Sequence, residues 1–159
     1  MKMKIIEQTE LTADQKSRIV QMWNAEYPSS LAFGEVSEFD VYLNDRPNQK
    51  HFLLIDSSDE IVGWACIFER ENAKWFAIII DEKIQGKGFG VKLIDTLKEA
   101  EERFFGWVID HDNNRKANGE KYRSPLGFYR KLGFKVHENE RIEKEGISGV
   151  KIEWNVLSI

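Results

Sequence analysis

A single cysteine, Cys66, and three histidines, His51, His111 and His137, are all that 159 residues offer in soft metal ligands. One thiol excludes an intramolecular disulfide and a thiolate metal cluster, and three scattered imidazoles do not make a histidine metal site, so no metal is expected. Cys66 sits in the strand-like IVGWACIF, where a buried, inert thiol is expected. Apolar runs fall far short of the ~20 residues needed to cross a bilayer. The opening MKMKIIEQTE turns charged too soon for a signal peptide, so no membrane partner and a cytoplasmic location are the default. Charge of one sign is not concentrated either: 23 Lys and Arg stand against 27 Asp and Glu, interspersed, for a net charge of -4. Without a basic stripe, no nucleic-acid partner is expected. A mildly acidic surface is compatible with a cationic amine through long-range attraction.

Core-forming residues are plentiful. Forty-two per cent of the chain is hydrophobic, with five tryptophans and ten phenylalanines, which excludes a disordered chain. Residues 1–159 are long enough for one domain that buries its own core. Lys4 to Gln8 reads as a short strand, and Thr12-Ala13-Asp14-Gln15 as a capping box ahead of a helix carrying Ile19, Val20 and Trp23 and ending near Pro28. A second helix is expected from Glu38 to Asn44. His51 to Asp56 and Ile61 to Glu69 form a hairpin about Ser57-Ser58-Asp59, and Glu71-Asn72-Ala73 turns the chain into Trp75 to Ile80. Trp107 to Asp110, Phe134 to His137 and Val150 to Trp154 are the remaining strands. The fold class that follows is α/β of the α+β type: one mixed, mostly antiparallel twisted sheet of about seven strands with helices on both faces.

The most informative stretch is WFAIIIDEKIQGKGFG, Trp75 to Gly90, an apolar strand that empties into three glycines within five residues. Val91, Ile94, Leu97 and Phe104 then recur at helical spacing. Glycines 86, 88 and 90 permit positive φ and close approach, and the new helix offers unpaired N–H groups, so a phosphate or pyrophosphate fits there. A dinucleotide fingerprint would need glycine or alanine at Val91 or Leu93, and a P-loop needs a terminal Gly-Lys-Ser/Thr; neither is present. Gln85-Gly86-Lys87-Gly88-Phe89-Gly90 remains, as Q-x-x-G-x-G. A glycine-rich turn with no ligand is the plainer alternative.

Further on, Ser124-Pro125 reads as an N-cap followed by proline at the first helical position, and Gly133 as the stop of a short helix. The loop resembles the coenzyme A pyrophosphate loop of the GNAT family of N-acetyltransferases, and Phe128-Tyr129-Arg130-Lys131-Leu132-Gly133-Phe134 resembles that family's F-Y-x-K-x-G-F signature. The resemblance spans roughly Glu60 to Trp154; the N-terminal third matches only in its strand-helix-helix order. The family often has Asn seven residues before that tyrosine and Ala four before it, where this chain has Tyr122 and Pro125. The polar segment from His111 to Arg123 is longer than such loops usually are. It reads either as a solvated loop with an Asn118-Gly119 turn or as a seat of substrate specificity.

The resemblance implies an acyl-CoA N-acyltransferase-like fold and acetyl-CoA as cosubstrate. Pantetheine would pair with the main chain of Phe76 to Ile80, with Ile78, Ile79 and Ile80 nearest the thioester, and the pyrophosphate would meet Gln85, Gly86, Lys87, Gly88, Phe89 and Gly90. The fourth and fifth strands would splay apart. Tyr129 would protonate the departing sulfur, while Phe128 would anchor its helix. For the base, His111 has a usable intrinsic pKa and Asp110 or Asp112 could orient it, with Glu69 as competitor. The acceptor side would be walled by roughly residues 26–37, including Glu26, Tyr27 and Ser30. A small-molecule primary amine is the leading acceptor; a protein or peptide amine, or a non-catalytic acyl-CoA sensor, are the alternatives. Exposed sheet edges leave room for a homodimer.

Overall fold

The computed structural model describes residues 2–144 and 146–158. Seven strands, β1 (Lys4–Gln8), β2 (Lys50–Ile55), β3 (Ile61–Arg70), β4 (Ala73–Ile80), β5 (Arg103–Ile109), β6 (Lys135–Lys144) and β7 (Ile147–Asn155), form one sheet in the order β1-β2-β3-β4-β5-β7-β6. Every neighbouring pair is antiparallel except β4 and β5. Helices α1 (Ala13–Glu26) and α2 (Val36–Asn44) cover one face, and α3 (Phe89–Ala100) and α4 (Leu126–Lys131) the other. This is the mixed α+β architecture expected.

Local chemistry accounts for the helix starts. Thr12 Oγ1 accepts from Gln15 N and Gln15 Oε1 accepts from Thr12 N, which closes the capping box of α1; such a cap contributes ~1 kcal/mol. Helix α2 begins at Val36, two residues earlier than read from the sequence, because Glu35 and Glu38 form a second, unread capping box. The expected cap of α4 shifts by one residue. Pro125 occupies the cap position, and Ser124 Oγ donates to Ile109 O at 2.5 Å while accepting from Leu126 N at 3.2 Å. Strand β6 runs on to Lys144, past the expected end at His137, after a register shift between His137 and Arg141 that lets the chain keep pairing with β7.

Each sheet face has its own core, and alternation along β4 divides the two. Phe76, Ile78 and Ile80 face α3 and α4, while Trp75, Ala77 and Ile79 face α1 and α2. His51 is fully buried beneath the second face. Its Nδ1 accepts from Trp64 Nε1 at 3.0 Å, so Nε2 carries the proton toward Gln49 Oε1 at 2.7 Å. Burial, with Lys16 adding to it, pulls the imidazole from 6.5 to about 4. The buried Cys66 thiol is pushed up to about 12, also by burial, and is inert at neutral pH.

Candidate active site

Strands β4 and β5 meet at one registered pair, Trp75 with Phe105, and then part. Just beyond, the Phe76 ring lies over Gly106, where a Cβ would come within 2.5 Å of its Cε1. The gap opens into a cleft of about 1020 Å³ lined from both sheet faces. On the open edge of β4 the carbonyls are taken: Tyr27 Oη donates to Ile78 O at 2.8 Å, and Gln85 Nε2 to Ile80 O at 2.8 Å. In a strand a residue's N–H and C=O point to the same side, so the Ile78 N–H shares this edge.

At the β4 exit the glycine loop has Gly86 at φ 77° and Gly88 at φ 87°, a left-handed conformation that side chains resist. No atom lies within 4 Å of where a Cβ would stand at either residue, so their backbone faces open space. The α3 ladder begins with Lys92 N to Gly88 O at 3.2 Å, and the N–H groups before it lie outside the ladder. Gly90 instead faces Phe128, whose Cζ would stand 3.3 Å from a Cβ placed there. Bare amides at the positive end of a helix suit a pyrophosphate.

Two carboxylates, one of them from the distant end of α1, hold the loop's entry. Glu26, at the end of α1, accepts from Glu82 N at 3.0 Å, from Gln85 Nε2 at 3.1 Å and from Lys116 Nζ at 3.5 Å. Asp81 accepts from Arg18 at 2.5 Å and from Lys83 N at 3.0 Å, and those donors hold its carboxyl below the usual range against the opposing effect of burial. Arg18 also donates to Ile61 O, tying α1 to β3.

Tyr129 lines the cleft while its ring packs against Phe76, Phe128 and Phe134 at 5.2–5.8 Å. Burial, with Tyr122 nearby, raises its phenol well above 10.0, so it keeps its proton at neutral pH. Tyr122, in the position where the family often has asparagine, also lines the cleft and meets Tyr27 edge-on at 6.5 Å; burial pushes it up to about 12. The polar segment before it is a small hairpin. Arg115 bridges Lys121, Gly119 N donates to Lys116 O at the turn, and Ser29 N donates to Arg115 O at 2.8 Å, which docks the hairpin on the end of α1.

Several site residues read from the sequence fall together here: Glu26, Tyr27, Ile78, Ile79, Ile80, Gln85, Gly86, Gly88, Gly90 and Tyr129 all line the cleft. Others lie elsewhere. The Asp110 carboxylate receives both Arg141 terminal nitrogens, at 2.9 and 3.0 Å, and these bonds hold it below its usual range. His111 Nδ1 accepts from Asn113 N at 3.0 Å, Asp112 accepts from Ser124 N, and Glu69 is bound to Asn48 and Lys74; none of the four is in the cleft lining. Ser30 is exposed in the 3₁₀ turn Ser29–Leu31. The anchoring role expected of Phe128 belongs to Tyr129: Tyr129 is 6% exposed and Phe128 37%, because Phe128 turns toward Gly90 and the cleft. Arg18, Asp81 and Lys116 were missed, since ion pairs across 63 and 90 residues leave no local signal.

The sheet thus splays between β4 and β5, and the glycine loop borders the resulting cleft. The family model for the acetyltransferase (GNAT) domain matches residues 48–136, more than half of the chain. The chain belongs to the GNAT acetyltransferase family, whose chemistry is N-acetyl transfer. No curated protein matches it in sequence. Among solved structures, it resembles an aminoglycoside 6'-N-acetyltransferase complexed with coenzyme A, at 14% identity and TM-score 0.71, over 96% of this chain and 97% of that one. A phosphinothricin acetyltransferase from Sinorhizobium meliloti in complex with acetyl-CoA gives 13% identity and 0.66, over 94% and 86%. A spermidine/spermine N-acetyltransferase from Vibrio cholerae gives 15% and 0.64, over 98% and 96%. At these identities the likeness shows the acyl-CoA N-acyltransferase-like fold.

Proposed function

We propose that this chain transfers an acetyl group from acetyl-CoA directly to the primary amine of a small molecule. The observation that carries the reading is the cleft itself, which runs through the β4–β5 gap with the glycine loop at one end and Tyr129 in its wall. Acetyl-CoA supplies an activated thioester. Gly86 to Gly90 hold its pyrophosphate, and the Ile78 N–H polarises the thioester carbonyl. One ammonium proton leaves to water before attack; in the transfer a C–N bond replaces the C–S bond, Tyr129 Oη gives its proton to the departing sulfur, and the second nitrogen proton, shed as the amide forms, returns the phenol to its neutral state. No covalent enzyme intermediate is required, and Cys66 is buried away from the cleft. The hairpin at residues 115–121 closes on the end of α1, which favours a small acceptor over a folded protein. The solved relatives are likewise named for small molecules.

Calorimetry with acetyl-CoA, followed by thiol release across a panel of amines and peptides, tests the reading. Acceleration by a small amine supports it. Binding with no acceleration by any acceptor would favour an acyl-CoA sensor, and acceleration by peptides alone a protein acetyltransferase.

Gly88→Val places a β-branched side chain at a left-handed position and fills the open face of the loop. The expected result is an acetyl-CoA dissociation constant raised at least tenfold, alongside a stability loss of roughly 1–2 kcal/mol from the backbone alone. Calorimetry and urea melts separate the two. His111→Ala is expected to leave the acidic limb of the pH–rate profile in place, because the imidazole lone pair is engaged by Asn113 N–H and Asp110 is held by Arg141. A shifted limb would restore His111 as the base.

A further inference from the structure

On the α1–α2 face of the cleft, two guanidiniums flank one aromatic ring, and the exposed Glu71 carboxylate acts on Arg70 only from beyond ion-pair distance. Arg46 lies 3.4 Å from the Tyr42 ring centroid and 5.1 Å from that of Phe68; Arg70 lies 5.2 Å from Phe68 and 5.3 Å from Trp75. All five residues line the cleft. Among the described residues neither arginine forms an ion pair, and the adjacent Glu69 carboxylate is committed to Lys74 and Asn48. Stacking engages the faces of the guanidiniums and leaves their in-plane N–H groups to be satisfied. Arg46 uses one, toward Tyr42 O at 2.7 Å, and its buried Nε has no partner. The Trp75 Nε1, on a residue 3% exposed, has none either. Burial, and then repulsion from Arg46, pulls the Arg70 guanidinium down from 12.5. Both arginines are half-buried, and guanidiniums held in a cleft are ordinarily partnered, so two with no ion pair inside a substrate-sized cleft suit an anion that arrives with a ligand.

We infer that Arg46 and Arg70 form a carboxylate subsite, and that the acceptor is an amine of the amino-acid class. The inference rests on the acetyl-transfer reading for the amine but not for the anion. A planar guanidinium fork matches a carboxylate in two parallel hydrogen bonds, and a polyamine would bring further positive charge against the pair. The protein is anionic overall, so the subsite is a local reversal of its charge.

The test uses matched sets of amino acid, amino-acid amide and decarboxylated amine with apolar and aromatic side chains, and phosphoethanolamine as a phosphate-bearing amine. Thiol release with acetyl-CoA and calorimetric binding in the presence of coenzyme A are both read. The amide has more free amine at neutral pH, so a preference for the carboxylate cannot come from basicity. Wild type is expected to favour the amino acid over its amide by roughly 30- to 100-fold in kcat/KM, the worth of charge-assisted hydrogen bonds. Arg70→Gln should bring that ratio near one, with Arg70→Lys retaining part of it. Arg46→Gln, at the second guanidinium of the pair, should lower the ratio several-fold should Arg70→Gln fail to fold. A wild-type ratio near one, a ratio unchanged in Arg70→Gln, or phosphoethanolamine preferred over every carboxylate overturns the subsite. Acetylation without carboxylate preference leaves the transferase standing and removes the subsite. Arg70-dependent carboxylate binding without turnover does the reverse, and neither binding nor turnover removes both.

Discussion

Tyr129→Phe is expected to lower kcat roughly 100- to 1,000-fold, about 3 to 4 kcal/mol in the barrier, with the acetyl-CoA dissociation constant unchanged. The two properties separate because they use different parts of the side chain. The ring is packed among Phe76, Phe128 and Phe134, and phenylalanine fills the same volume. Among the described residues the hydroxyl forms no hydrogen bond that holds the fold, and it lies in the lining of the cleft. Its removal therefore leaves stability within about 0.5 kcal/mol. Burial raises the phenol's affinity for its proton, so the group is a neutral donor across the whole neutral range. Stopped-flow thiol release gives the turnover and calorimetry the affinity. Turnover equal to wild type would remove Tyr129 from the proton transfer and leave it only the packing role.

The second large effect is a loss of stability in mild acid that originates at His51. This imidazole is buried and neutral between Trp64 and Gln49, and it titrates near 4 rather than 6.5. A depressed folded pKa means that the unfolded chain takes up a proton first as the pH falls. The stability is fully present above about 6.5 and drains away down to about 4, by roughly 3 kcal/mol in all. The carboxylates held low by their partners, Asp81, Asp110, Glu143 and Glu153, start from 3.8 or 4.5, so their losses come at the acid end of that window or below it. Urea midpoints between pH 7 and 4.5 thus report His51. His51→Phe should flatten the slope across this range. At pH 7 the same variant should be less stable by about 1–3 kcal/mol, because the Trp64 indole N–H loses its acceptor in the core. A wild-type slope that persists in the variant would assign the acid sensitivity elsewhere.

Legibility from sequence followed the range of the interaction. The capping box at Thr12, the Trp75–Ile80 strand, the glycine loop and the tyrosine signature are each written within a few neighbouring residues, and each formed close to where it was read. The second capping box at Glu35 has the same local range but an atypical cap residue, which gives it no sequence signature. The acid–base candidates after β5 rest on intrinsic pKa and nearness to a strand end. Arg141, 31 residues away, takes up Asp110, and no local pattern announces that pairing. The polar segment 111–123 looked like either a solvated loop or a specificity element, and it is a hairpin whose outer turn is solvated while Lys116 and Tyr122 line the cleft.

By itself, the order of residues determined the elements, the phosphate-suited loop and the tyrosine that faces the cleft, because hydrogen-bond caps, periodic burial and glycine's freedom at positive φ act over a few residues. Only tertiary structure decided what surrounds the acceptor. Folding sets Glu26 against Lys116 from 90 positions away and brings Arg46, from the turn after α2, beside Arg70 on the Phe68 ring of β3. Electrostatics and shape there depend on distances through space, which the spacing of residues along the chain does not encode.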